Sequence, residues 1–239
     1  MATEDEWERL LAAQRRLQEA FPDLVLVGGT ASALHARHRR SLDGDHVLSD
    51  LREHFAEVVA KLEELAGWKT NRLRPPVLVL GNFEGVETGI RQLVRTVPLE
   101  TDEIAGIKVP TLEEMVRVKA WLVVTRNALR DYVDLCALAH LAGPRYVVAL
   151  RRIDELYPQT GTESVLRQLA KQLAEPLPYD LVPGEAELRR YRDLRPPWDD
   201  WRNVERRCEE MSNAIANLFG LDPDLVREIP EGREPGLER

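Results

Sequence analysis

Little cysteine, no long apolar run and no surplus of positive charge mark this chain, and each shortage removes a class of protein. Only two cysteines, Cys136 and Cys208, occur in 239 residues. They offer no zinc-ligand spacing. Both fall in helical patterns, where buried free thiols of a reducing cytoplasm are the expected state. No apolar run approaches the ~18–20 residues that a membrane span needs, so no membrane partner is expected. The first residues, MATEDEWERL, are acidic and lack the basic-then-apolar layout of a signal peptide. A cytoplasmic location follows as the expectation. The net charge of −8 argues against a general nucleic-acid coat, although an acidic body can still carry a local basic groove. There are no internal repeats.

What is present is the make-up of a soluble globular protein, 44% hydrophobic and 31% charged, long enough for one large domain or two small ones. The most informative stretch is Leu24 to His46, LVLVGGTASALHARHRRSLDGDH. It reads as a buried strand at 24–27, a Gly28-Gly29 pair, a helix starting near Thr30, and a second strand carrying Asp43 and Asp45. Side chains two apart on a strand share a face, so the two carboxylates stand side by side with Gly44 turned away. Paired carboxylates suit a hard cation such as Mg²⁺. The glycines let the backbone come close to a bulky anion, and the helix behind them offers free N–H groups and the positive end of its dipole. Asp-Gly is also a strong hairpin-turn signal, so 42–46 fits a solvated turn as well.

Further along, Thr3 with Glu6 forms a capping box for a helix over 3–20, ended by Pro22. Ser49 is placed to cap a helix over 50–65, which Gly67 stops. Val77–Leu80 and Val86–Leu93 read as neighbouring strands, with turns at Gly81-Asn82 and Glu84-Gly85. Ile104–Pro110 reads as a connector or edge strand. Thr111 and Glu114 form a second capping box. The helix they open carries Lys119 inside an apolar stretch, where lysine is rarely buried without a partner; a lysine snorkelling to solvent fits equally. Asn127 marks a break, and a helix over 129–141 ends at Gly143-Pro144. Arg130 and Asp134, one turn apart on it, are placed to form a surface ion pair. Helices are expected over 146–157, 163–173 and 198–219. The tail from 223 has little to bury and is expected to be disordered.

Two blocks, VGGTASALHARHRRSLDGD and VPTLEEMVRVKAWLVVTRNALRDYVDLCALA, carry a family likeness. Together they resemble the nucleotidyltransferase superfamily with a polymerase-β-like palm, and in particular the AbiEii-type toxins of abortive-infection and toxin–antitoxin systems. The likeness covers about Leu24 to Ala139. It departs from the family pattern at Gly44, where an apolar residue is usual, and at Thr30, where some relatives place a Ser after a single Gly.

The resemblance implies an α/β fold: a small palm sheet with flanking helices over 1–108, then a helical domain over 109–222. It implies that Asp43, Asp45 and a third carboxylate, Glu87, hold two Mg²⁺ ions, with Mn²⁺ as a possible substitute. Glu87 alone reads as a surface residue of a half-exposed strand. Gly28, Gly29 and Thr30 would cradle the phosphates of an NTP. Lys119 would contact the triphosphate, Arg126 would add positive charge nearby, and Asp131 would orient Lys119 or the acceptor hydroxyl; Asp134 is taken as structural. The activity implied is transfer of an NMP to an acceptor hydroxyl, with a tRNA 3′ end and a cognate antitoxin as the partners of a toxin. A basic groove of Arg37, His38, Arg39 and Arg40, with Arg72, Arg74, Arg91 and Arg95 nearby, is the expected RNA track, and a solvated arginine-rich surface fits the same residues equally. A small-molecule or protein acceptor fits the same motifs, as does a catalytically silent binding module.

Overall fold

A computed structural model describes residues 4–159, 161, 163–181, 188 and 191–220. Thr3 of the first capping box and the tail from 223 lie outside the described residues. The first helix, α1 (Glu4–Ala20), buries Leu10, Leu11, Ala13, Leu17 and the two glutamines Gln14 and Gln18. Its apolar positions recur every three or four residues, so they form one stripe facing the core.

After α1 the chain builds one five-stranded sheet. Across it the order is β1 (Val25–Leu26), β2 (Gly44–Leu48), β5 (Val86–Gln92), β4 (Leu78–Phe83) and β3 (Trp68–Arg74). Only the β2–β5 pair is parallel; the others run antiparallel. Two parallel neighbours cannot be joined by a tight turn. Here helix α3 (Leu51–Glu63) and the β3–β4 hairpin make the connection. Between β1 and β2 lies α2 (Gly28–Ala36), which starts two residues before Thr30, at the first glycine.

Several local expectations shift. Asp50, not Ser49, occupies the N-cap of α3. Gly81-Asn82 lies inside β4, because Gly81 leaves room for the indole of Trp68 on the neighbouring strand; a Cβ there would stand 2.4 Å from the Trp68 ring. The connector expected at 104–110 is half of a hairpin, β6 (Thr101–Ile104) with β7 (Ile107–Pro110). Its turn residues Ala105 and Gly106 have φ of 54° and 73°, the left-handed pair that a tight hairpin turn requires.

The rest is helical. Thr111 caps α4 (Leu112–Arg126) by accepting from the Glu114 N–H at 3.3 Å, and Asn127 ends it with φ of 49°. Next comes α5 (Leu129–Ala142), buried on nearly every side. The single helix expected over 146–157 is broken into α6 (Arg145–Ala149), a 3₁₀ turn at Leu150–Arg152, and α7 (Ile153–Leu156). Ser164 caps α8 (Val165–Ala174). The last helix, α9 (Trp201–Phe219), starts later than its apolar stripe suggests, because Asp200 takes the N-cap and accepts from the Arg202 N–H. Cys136 of α5 and Cys208 of α9 are buried free thiols, 3.5 Å apart.

One core cluster joins Leu10, Leu11, Leu26 and Ala31 to residues of α4 through α9, so it runs across both ends of the chain. A second packs α1 and α3 on the sheet through Leu17, Leu24, Leu62, Val79, Phe83 and Ile90. The fold is α/β, a palm-like sheet with flanking helices and a helical C-terminal half. Among the described residues no single helix is long and apolar enough to cross a membrane.

Candidate active site

The parallel pairing of β2 with β5 sets Asp45 beside Gly89 and Gly44 beside Thr88. Alternation along the strands then turns Asp45 and Val47 of β2, with Glu87, Gly89 and Arg91 of β5, to one face. That face forms the floor of a cavity of about 380 Å³, lined also by Asp43, Gly28, Arg126, Arg130, Trp121 and Tyr157. Asp43, Asp45 and Glu87, three acids separated in sequence, therefore meet one space.

Asp45 sits between two glycines. A Cβ on Gly28 would stand 3.1 Å from Asp45 Oδ2, and one on Gly89 would stand 3.0 Å from Oδ1. Gly28 also has φ of +71°, a region that side-chain-bearing residues avoid. Gly44 faces the other way, against Gln14 of α1, whose amide would lie 2.5 Å from a Cβ. The missing apolar side chain at 44 is thus replaced by a glutamine from another helix. Beneath the carboxylates His46 is fully buried, and desolvation pushes its pKa down to about 4.

The acids repel one another. Partial burial raises the Asp43 pKa above its ordinary value, and the negative charges of Asp45 and Glu87 raise it further, while Arg130 and Arg39 oppose the shift. Arg91 Nε lies 3.7 Å from Asp45 Oδ1, a loose and half-exposed pair. Among the described residues no three His, Cys, Asp or Glu side chains are drawn together tightly enough to hold an ion; the three acids face one space without converging on a point. As a donor set they are hard oxygens with unfavourable mutual repulsion, and that suits a divalent cation.

Of the three residues expected to cradle phosphate, only Gly28 lines the cavity. Gly29 makes room for Arg39 and Ser41, with Arg39 Nη2 2.5 Å from where a Cβ would be. Thr30 is buried and donates its hydroxyl to the Asp43 carbonyl at 2.6 Å. It therefore fixes the backbone that carries Asp43.

Lys119 is placed differently from the sequence reading. Only 2% of its side chain is exposed, and its ammonium meets Asp131 Oδ1 at 2.9 Å and Asp134 Oδ2 at 2.8 Å. It does not line the cavity, although its neighbours Val118, Trp121 and Leu122 do. Asp131 accepts from Lys119 through Oδ1, and its second oxygen, Oδ2, is buried without a hydrogen-bond partner.

Asp134 does not pair with Arg130. It accepts from Arg39 Nε and Nη2 at 2.6 and 2.9 Å and lies 2.7 Å from His38 Nε2. Burial opposes its charge, but the Arg39 and Lys119 cations hold its carboxyl well below the usual range. Arg130 instead stands exposed at the mouth of the cavity.

The expected RNA track is not an open groove. His38 and Arg39 are buried on Asp134. Arg40 pairs with Glu4 and lies 3.6 Å from Asp193. Arg95 is buried against Glu114. Arg37, Arg72 and Arg74 remain exposed, and Arg91 belongs to the cavity. Sequence reasoning had no site role for Trp121, Tyr157 or Arg130, and it gave Arg91 to an RNA track instead of the cavity. The helical spacing of Val118, Trp121, Leu122 and Arg126 was a usable signal, because it puts them on one face of α4.

No family model matches the chain. In fold it is similar to the crystal structure of JHP933 from Helicobacter pylori, with a TM-score of 0.54 at 17% identity over 92% of this chain and 95% of that one. A second H. pylori crystal structure, named provisionally as a nucleotidyltransferase, gives 0.53 at 17% identity over 92% and 99%. These likenesses establish that the chain shares its fold with the two H. pylori proteins. In sequence the chain resembles part of MmpL11 of Mycobacterium tuberculosis, named a heme uptake protein, at 32% identity over 135 residues. The Mycobacterium leprae MmpL11 gives 27% over 138 residues. The matched stretch is 52% of this chain but 13% of the M. tuberculosis protein's length.

Proposed function

We propose that the chain is a metal-dependent nucleotidyltransferase that moves an NMP from an NTP to an acceptor hydroxyl, with an RNA 3′ end such as that of a tRNA as acceptor. The observation that carries this reading is the meeting of Asp43, Asp45 and Glu87 with Arg91, Arg126 and Arg130 around one cavity beside the first turn of α2. Mg²⁺ held by one or two of Asp43, Asp45 and Glu87, with substrate phosphates and water filling its remaining positions, would supply Lewis-acid activation of the acceptor and charge neutralisation at the phosphates.

The chain's own residues supply the remainder. Gly28 lets the triphosphate approach the N–H groups that open α2, which have no earlier turn to bond. Arg126 and Arg130 face the charge that develops on the phosphoryl oxygens and the departing pyrophosphate. Asp43, whose pKa burial and the neighbouring acids raise, takes the acceptor hydroxyl's proton. Thr30, on the Asp43 carbonyl, and Arg39, on Asp134, hold the loop from which Asp43 projects. A toxin role with a cognate antitoxin is part of the same proposal and rests on the family likeness of the two sequence blocks.

The test is incubation with each α-labelled NTP, Mg²⁺ and total RNA, then separation of RNA, protein and small molecules. Label in RNA that vanishes with EDTA and in Asp45→Asn supports the reading. Label only in protein or a small molecule moves the acceptor, and label nowhere removes transferase activity from the proposal.

A further inference from the structure

The cavity has two unlike ends. Asp43, Glu87, Arg126 and Arg130 form the charged one. The other is made by Leu93, Val94, Leu99, Val118, Trp121 and Tyr157, with Val47 and its strand neighbour Arg91 between the two ends. Val94 is 76% exposed there, at the rim. Trp121 is half-buried and stacks on Tyr157, with centroids 5.1 Å apart and planes 16° apart. The Arg95 guanidinium in turn lies over the Tyr157 ring at 5.5 Å.

This aromatic wall is held rigidly. Arg95 donates to the carbonyls of Val97 and Pro98 at 2.8 and 2.9 Å and pairs with Glu114 of α4. The loop bearing Val94 and Leu99 is therefore tied to the helix bearing Trp121. Trp121 and Arg126 are five residues apart on α4, an axial rise of about 7.5 Å, so a single ligand with an anionic end and a flat apolar end spans both.

We propose that Trp121 is the platform on which the base of the incoming nucleotide stacks, and that stacking, not hydrogen bonding to base edges, decides which nucleotides are taken. The inference rests on the nucleotidyl-transfer reading of the same cavity. Gln92, an amide at this end of the cavity, is already engaged. Its NH₂ donates to the Ser49 carbonyl at 2.6 Å and its oxygen accepts from the Arg52 N–H at 2.7 Å. Every base has a π-face, so a stacking wall is tolerant of sequence. The four NTPs should therefore bind with similar affinity, purines slightly ahead.

Equilibrium binding of ATP, GTP, CTP, UTP and inorganic tripolyphosphate tests this in the wild type and in Trp121→Ala, Trp121→Leu and Trp121→Phe. The wild type should bind all four NTPs within about 10-fold of one another. Trp121→Ala should weaken each by roughly 5- to 150-fold, the worth of one stacked base, and leave tripolyphosphate unchanged. Trp121→Phe should recover most of the loss. If the Ala variant does not fold, Trp121→Leu, which keeps the bulk but no ring, should show the same split. Unchanged NTP affinity in the Ala and Leu variants overturns the stacking role while nucleotide binding stands. So does preference for one base by more than about 100-fold that persists without Trp121. A wild type that binds no NTP overturns the nucleotide reading itself, and this inference with it.

Discussion

Asp134 grips Arg39 through both carboxylate oxygens, at 2.6 and 2.9 Å, although the two residues stand 95 apart in the chain. Both are buried, and Lys119 closes the group from the other side. A buried carboxylate of this kind tolerates its charge only because the cations are fixed around it. Asp134→Ala strands Arg39 and should cost about 3–5 kcal/mol of stability, read as a lower Tm. Lys119→Met should also lower Tm, with tripolyphosphate affinity unchanged, because the ammonium lies outside the cavity. Loss of affinity at constant Tm would show instead that the lysine reaches the phosphates.

Gly89 tests the placement of Asp45. A methyl there would press on Asp45 Oδ1 at 3.0 Å and on Leu80 at 3.1 Å. Gly89→Ala should lower kcat by about 10²-fold through displacement of the carboxylate, with Tm nearly unchanged. Wild-type turnover in this variant would place the reacting atoms away from Asp45.

Arg130 tests the base. Its charge lowers the Asp43 pKa against burial and the neighbouring acids. Arg130→Ala should let that pKa rise, so the acid limb of the kcat/KM profile moves to higher pH, and Arg130→Lys should restore it. An acid limb that stays in place identifies another group as the one that titrates.

His46 gives the fold a pH dependence. Its ordinary pKa of 6.5 falls to about 4 on burial. Between those values the unfolded chain binds the extra proton, so stability falls as pH drops through that window, by roughly 3 kcal/mol at its lower end. Denaturant melts from pH 7 to pH 4 should show this slope, and His46→Gln should flatten it. An equal slope in the variant would assign the loss to other groups, among them His35, whose pKa burial also lowers.

The sequence was informative wherever a signal is local. The glycine pair, the Asp-x-Asp spacing, the Thr111 cap and the period of the helices each involve residues within a few positions of one another. β3 escaped because WKTNRLR has no buried face: a polar strand at a sheet edge lacks the alternation that marks strands. The arginine run was misleading for a related reason. Arg39 and Arg40 look alike in sequence, and only the fold brings Asp134 to one and Glu4 to the other. Lys119 was noticed as an anomaly on an apolar helix, but its partners on α5 are set by packing. Trp121 falls in the apolar stretch around Lys119, and an indole facing a cavity and one facing a core obey the same helical period.

The Arg39–Asp134 grip bears on how this chain can be divided. The arginine belongs to the loop before β2 and the aspartate to α5, on opposite sides of the β6–β7 hairpin. A cut after that hairpin would give an N-terminal piece with an orphaned guanidinium and a C-terminal piece with Asp134 facing solvent. Neither piece is a portable module. Grafting the carboxylate-bearing sheet onto another scaffold requires bringing α5 with it, or replacing both members of the pair together.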